Sequence, residues 1–165
     1  MPTSNLALAP AIIHLCWEVQ PARILDVGPG WGKYGLLLRE YVNPKATIDA
    51  VEMEPSYITP RLEAIYDTVY KCDVRDFGEG TLETWYDLVL MVDVIEHLTK
   101  EDGLALLERI PGHVVVCTPS EFFQNPDTVP SEVHRSLWTP EDFGDRLEVQ
   151  WVNAQGAVLV RLKPQ

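Results

Sequence analysis

Four residues of the chain have types and spacing suited to moving a proton or holding a metal. Asp93, Glu96 and His97 stand together in "YDLVLMVDVIEHL", and His134 stands apart in "EVHRSLWTPEDF". On a helical turn the D-x-x-E-H spacing gathers side chains that lie three and four residues apart. Imidazole titrates near neutral pH and also binds divalent cations, and carboxylates can do both as well. Three readings of this group stay open: a metal site, a metal-free base at His97 or His134, and a structural role. In the structural role His97 steadies the loop after a strand and Glu96 caps the next helix.

A second constellation is "ILDVGPGWGKYG", in which Gly28, Gly30 and Gly32 fall at every second position after the strand-like Ile24–Val27. Glycine is costly to order on folding, so three so close together imply that bare backbone is needed there. Main-chain N–H groups could then approach a small molecule, with the following helix aiming its N-terminus at it. A glycine turn that serves only the fold is the alternative. In "DAVEMEP", Glu52 falls at the tip of a second strand, where a carboxylate can accept hydrogen bonds from both hydroxyls of a ribose, as in dinucleotide enzymes. Its neighbour Glu54 fits a solvated loop carboxylate. Asp73, in "KCDVRDF", closes a third strand, though aspartate also commonly starts turns.

The elements that must position these residues alternate. Strand-like runs at 24–27, "ATIDAVEM", "VYKCDV", "YDLVLMV" and "GHVVVCTP" are interleaved with helical spacing in "KYGLLLREYV", in the residues after Pro60, and in "KEDGLALLERI". In the last of these Leu104, Leu107 and Ile110 share one side. The segment Leu6–Val19 is predicted as an amphipathic helix over one end. Such alternation argues for a parallel sheet covered by helices on both faces, wound by right-handed crossovers. "LEVQWVNAQGAVLVRLK" predicts an antiparallel hairpin turning at Asn153–Gly156. Before it runs a long proline-punctuated loop, with a short helix expected from Thr139–Pro140. A loop of that length usually walls or covers a site. Phe122, Phe123 and Trp138 could line it, or Trp138 could anchor it. Trp31 and Tyr34 flank the glycines and are candidates for the same pocket, while His14 and His113 fit structural roles.

With 165 residues, 46% of them hydrophobic, the chain is long enough for one well-filled core. Its formal net charge of −12, with thirteen scattered Lys and Arg, disfavours nucleic acid and anionic lipid as partners. Cys16, Cys72 and Cys117 have no metal-type spacing and fit reduced, buried thiols of a cytoplasmic protein. The apolar opening lacks a basic start and is interrupted by Pro10, His14 and Glu18, so neither a secretion signal nor a membrane span is expected.

Counted from Gly28, the sixth residue is Lys33, where the dinucleotide fingerprint G-x-G-x-x-G needs glycine. The pattern present, D-x-G-x-G-x-G from Asp26, resembles motif I of the class I S-adenosylmethionine-dependent methyltransferases. The resemblance runs from about Ile24 to the final hairpin, and "YDLVLMVDVIEHL" is similar to the fourth motif of small-molecule and quinone-precursor O-methyltransferases. It implies a single domain over residues 1–165. The implied fold is α/β, a Rossmann-like doubly wound sheet of seven mostly parallel strands with an antiparallel C-terminal hairpin. The implied cofactor is S-adenosyl-L-methionine. Gly28, Gly30 and Gly32 would wrap its methionine part, Asp26 would help hold its ammonium, Glu52 its ribose and Asp73 its adenine amino group, with Asp93 at the same crevice.

The implied reaction is methyl transfer to an oxygen or nitrogen of a small-molecule or carrier-borne acceptor, with Glu96, His97 and His134 as catalytic candidates. The D-x-x-E-H plus distant His arrangement is also similar to the Glu-x-x-Glu-His plus His set that binds a divalent metal in small-RNA 2′-O-methyltransferases. Here Asp93 stands for the first Glu. Two rivals remain: a non-catalytic cofactor-binding or scaffold domain, and an NAD-type oxidoreductase. The shortness of the chain makes a homodimer contact or a partner protein a further expectation.

Overall fold

Branched and aromatic runs become seven strands in a computed structural model that describes residues 4–78, 82, 85–121, 130–153 and 156–165. They are β1 (Arg23–Val27), β2 (Thr47–Val51), β3 (Thr68–Tyr70), β4 (Leu88–Val92), β5 (His113–Pro119), β6 (Leu147–Asn153) and β7 (Ala157–Leu162). The sheet order is β3-β2-β1-β4-β5-β7-β6. β1 to β5 are parallel to one another, while β7 runs antiparallel to both β5 and β6. The last strand thus inserts between β5 and β6 rather than extending the edge.

β4 is buried at all five positions, as its unbroken apolar sequence requires of a strand covered on both faces. Its side chains divide by the strand period of two. Leu88, Leu90 and Val92 join the core layer that includes Ile12, Leu15 and Cys16 of helix α1 (Ala9–Val19). Val89 and Met91 join the opposite layer. Burying a side chain of this size contributes about 1.5–3 kcal/mol. α1 ends where Gln20 turns left-handed (φ 51°) ahead of Pro21, and it is preceded by a 3-10 turn at Leu6–Leu8 rather than starting at Leu6.

Three helical expectations are corrected. The stretch after the glycines forms α2 (Lys33–Leu37) and then widens into a π-helical turn at Leu38–Val42. After Pro60 only one turn forms, α3 (Pro60–Glu63), capped by Thr59 Oγ1 accepting the Leu62 N–H. Helix α4 (Lys100–Glu108) buries Gly103, Leu106 and Leu107, while Leu104 is exposed. The Trp138 ring packs directly on Gly103, where an added Cβ would lie only 2.5 Å from Cζ2. Trp138 is wholly buried and stacks on Phe143, so it anchors the loop rather than lining a pocket. The expected short helix near Thr139–Pro140 is a 3-10 segment, Pro140–Arg146. β3 ends at Tyr70, so Asp73 lies beyond the strand and caps the 3-10 turn Val74–Asp76.

Phe122 and Phe123 lie outside the described residues, as does part of the Asn153–Gly156 turn. All three cysteines are free thiols. Among the described residues no helix is long and apolar enough to cross a membrane.

Candidate functional site

The strand order reverses between β1 and β4, and in an open α/β sheet the ligand crevice lies beyond the carboxyl ends of the strands at such a point. A cavity of about 690 Å³ opens there, walled by the turns that follow β1, β2, β4 and β5. Gly28, Gly30 and Gly32 all take positive φ (64°, 54° and 82°), which suits glycine. Gly28 and Gly30 line the cavity, whereas Gly32 is the N-cap of α2 and does not. A Cβ on Gly28 would lie 2.7 Å from Val94 Cγ2, and one on Gly32 2.6 Å from Ile65 Cδ1. Two of the three glycines therefore serve the protein's own packing as well as its backbone path.

Glu52, almost fully buried, follows β2 and faces the glycine turn. Its Oε2 accepts the Gly30 N–H at 3.3 Å and its Oε1 accepts the Glu54 N–H at 2.8 Å. Burial raises its pKa despite these bonds. Asp26 lies in β1 behind the turn, outside the cavity lining. Its Oδ2 accepts the Tyr66 hydroxyl at 2.5 Å, and that hydroxyl in turn accepts the Gly35 N–H at 3.1 Å. Burial pushes the Asp26 pKa up to about 7. Asp73 lines the cavity, but its carboxylate is gripped by the Arg75 guanidinium (2.6 Å to Nη2), which lowers its pKa. Glu54 is not simply solvated: it caps the turn Pro55–Tyr57 and accepts a hydrogen bond from Ser131 Oγ at 3.2 Å.

Beyond β4 the chain reverses at Asp93, a non-glycine residue at φ 54° that donates its N–H to Cys117 O at 2.8 Å. Strained positions of this kind cost about 1–3 kcal/mol and gather at functional sites. The reversal puts the Asp93 side chain in the cavity, where burial raises its pKa to about 6 against the pull of Lys33. A 3-10 turn, Ile95–His97, then presents Glu96 and His97. Glu96 Oε2 accepts the Thr118 hydroxyl at 3.0 Å, while its Oε1 is buried with no hydrogen-bond partner. Burial, and then Asp93, lift its pKa to about 8. Glu96 does not cap α4, since Thr99 does.

His134 comes back from the long loop to lie edge-on against His97, with ring centroids 5.1 Å apart. Burial lowers both imidazole pKa values. The ligating atoms of Glu96, His97 and His134 lie within 4.8 Å of one another. Asp93 is not part of that trio.

The structure also brings in residues that the spacing did not single out. Lys33, noticeable in the sequence only for breaking the dinucleotide pattern, is the one Lys or Arg among the described cavity-lining residues. Its Nζ donates to the Ser4 carbonyl and hydroxyl at 3.0 and 2.6 Å. Tyr57 donates to Glu132, so the segment carrying Ser131, Glu132 and His134 is tied to the turn after β2. No local pattern marks these contacts, because they join residues 29 to 77 positions apart. Tyr34 lines the cavity, while Trp31 is half exposed and does not.

No family model matches the chain, and no curated protein matches its sequence. Solved structures do resemble it. A SAM-dependent methyltransferase from Aquifex aeolicus superposes with a TM-score of 0.66 at 16% identity, covering 96% of this chain and 93% of that one. The N-terminal domain of EvdMO1, solved in the presence of SAH and D-fucose, superposes with a TM-score of 0.67 at 16% identity, covering 99% and 85%. A protein from Rhodobacter sphaeroides described as a putative Zn-dependent alcohol dehydrogenase reaches 0.67 at 12% identity over 93% and 88%. At these identities the likeness concerns architecture, and with the sheet order and the reversed last strand it is conclusive on that point: the chain has the Rossmann-like fold of the class I S-adenosylmethionine-dependent methyltransferases.

Proposed function

We propose that the chain is an S-adenosylmethionine-dependent methyltransferase acting on an oxygen or nitrogen of a small-molecule or carrier-borne acceptor. The observation that carries this is the charge of the crevice. Glu52, Glu54, Asp73, Asp93 and Glu132 line it, besides a Glu96 whose raised pKa of about 8 leaves it largely uncharged near neutral pH, against Lys33 alone among Lys and Arg. A ring of carboxylates favours a ligand bearing positive charge and repels a pyrophosphate. That separates the proposal from an NAD-type oxidoreductase, which the fold by itself does not. When bound, S-adenosylmethionine supplies a methyl group already activated on a positively charged sulfur.

The residues of the chain do the rest. Gly28 and Gly30 offer backbone without side chains, and Glu52 offers two carboxylate oxygens to neighbouring hydroxyls. Asp93, with Asp26 behind the turn, favours the ammonium of the amino-acid end, and Lys33 favours its carboxylate. Asp73 and its following backbone, which line the cavity beyond β3, would meet the adenine base. Glu96, His97 and His134, which also line the cavity, would take the proton that an acceptor must lose. Holding acceptor and methyl in line and excluding water supplies most of the acceleration.

Calorimetric titration with S-adenosylhomocysteine is the first test. Saturable binding is expected, weakened by about 1–3 kcal/mol in Glu52→Gln through loss of charge-assisted hydrogen bonds. Labelled methyl transfer to a panel of hydroxyl and amine acceptors is the second. Binding with no transfer to any acceptor would assign a non-catalytic cofactor-binding domain instead.

A further inference from the structure

We propose that the methyl acceptor is an aliphatic amine, held as its ammonium among Glu96, His97 and His134. Its part as acceptor rests on the methyl transfer proposed above, whereas its binding does not. Glu96 lines the cavity yet is only 2% exposed, and its Oε1 is buried with no hydrogen-bond partner. Buried polar atoms are nearly always satisfied, so Oε1 calls for a partner that arrives with the ligand. Thr118 already holds the other oxygen.

The spacing of the group selects that partner. One polar side-chain atom from each of Glu96, His97 and His134 lies within 4.8 Å of the other two. A nitrogen placed among three atoms so spaced can lie within about 2.8 Å of each, the length of a hydrogen bond. An ammonium offers three N–H donors at such a point, where a hydroxyl offers one. His97 Nδ1 lies 3.4 Å from the Val133 carbonyl, and with its hydrogen donated there Nε2 is left to accept. An ammonium also favours the ionised form of Glu96, as opposite charges do at close range.

Charge favours the same guest. Among the described residues neither Glu54 nor Glu132 is ion-paired, whereas Asp73 is held by Arg75. Burial lowers the His97 pKa, and the Val133 carbonyl and the Glu132 charge pull against it, so Glu132 stands near that imidazole. An acceptor bearing a carboxylate or phosphate would meet like charge, and an alcohol would leave these carboxylates unanswered. With both imidazole pKa values lowered, either ring is neutral at pH 7 and can take one N–H proton from the ammonium. The nitrogen lone pair so freed forms the N–C bond to the methyl while the C–S bond breaks and its electron pair stays on sulfur. A methylated ammonium and S-adenosylhomocysteine result, with the proton on the imidazole.

The test is a ligand-observed NMR titration at pH 7, with and without S-adenosylhomocysteine. The probes are matched amines, alcohols and carboxylates on benzyl, cyclohexylmethyl and butyl skeletons. The best amine should bind at least about tenfold more tightly than its own alcohol and carboxylate, a margin that narrows as NaCl rises. Glu96→Gln should remove most of that margin and Glu132→Gln should reduce it several-fold, with the alcohol's affinity little changed in either. Thermal midpoints identify a variant that fails to fold, and the other then decides. Incubation with S-adenosylmethionine should yield the N-methyl product of that amine by mass spectrometry. No binding by any probe, amines bound no better than alcohols, a margin kept in full by the folded variants, or methylation of the alcohol instead overturns the proposal. S-adenosylhomocysteine titrated into the same samples separates the two ideas. Cofactor uptake without an amine margin refutes the amine alone, and an amine margin without cofactor uptake refutes the methyltransferase.

Discussion

At Asp26 a carboxyl group almost shut off from water sits under the glycine turn, with its pKa pushed up to about 7. In the unfolded chain an aspartate titrates near 3.9, so folding raises its proton affinity. The fold is therefore unpenalised by this group below about pH 4 and loses stability as pH rises toward about 7, by at most about 4 kcal/mol. Asp26→Asn should match the wild-type thermal midpoint near pH 4 and exceed it at pH 8, while binding S-adenosylhomocysteine more weakly. Thermal melts across pH, paired with calorimetry, would show both. A stabilising change that costs affinity is the pattern of a residue retained for binding. Lys33 gives a second prediction. Lys33→Met should weaken S-adenosylhomocysteine by about tenfold, as for a lost hydrogen bond to a charged group, and leave its decarboxylated analogue nearly unaffected. Equal loss of both ligands in paired titrations would make Lys33 a structural residue.

The elements show what one-dimensional spacing can and cannot convey. The glycines, Glu52 and Asp93 were legible in the sequence because each follows an apolar strand directly, and a strand's end fixes its neighbour's place. All three of Glu96, His97 and His134 were singled out in the sequence, but only part of their geometry was legible there. The first two share a turn, whereas His134 meets them through backbone bonds from Arg135 and Ser136 to Glu96 that no periodicity encodes. At α4 and just beyond it the expected side holds for Leu107 and Ile110, which are buried, and fails at Leu104, because Trp138, from the far side of a long loop, packs on Gly103 instead. The same reasoning predicts two variants. Gly32→Ala should destabilise the fold, since the new methyl meets Ile65 at 2.6 Å on a backbone at φ 82°. A midpoint lowered by several degrees, before any effect on binding is considered, would confirm packing as the reason for that glycine. Ser136→Ala should cost about 1–3 kcal/mol in denaturant melts, because it strips the buried Trp138 Nε1–H of its acceptor.

Across the whole molecule, the turns at one end of the sheet floor the cavity, and Ser131, Glu132 and His134 of the long loop form part of its wall. The surface, at net charge −12, directs any anionic partner elsewhere. Tyr57→Phe removes the tie to Glu132 and should speed cofactor release several-fold in stopped-flow experiments with little change in the thermal midpoint. The same tie has a wider consequence. Ser131 and Glu132 hang on the turn after β2, while His134, a few residues on, rests on the turn after β4. One short segment thus joins the turn after β2 to the turn after β4, and a substitution that loosens it at one end is felt at the other.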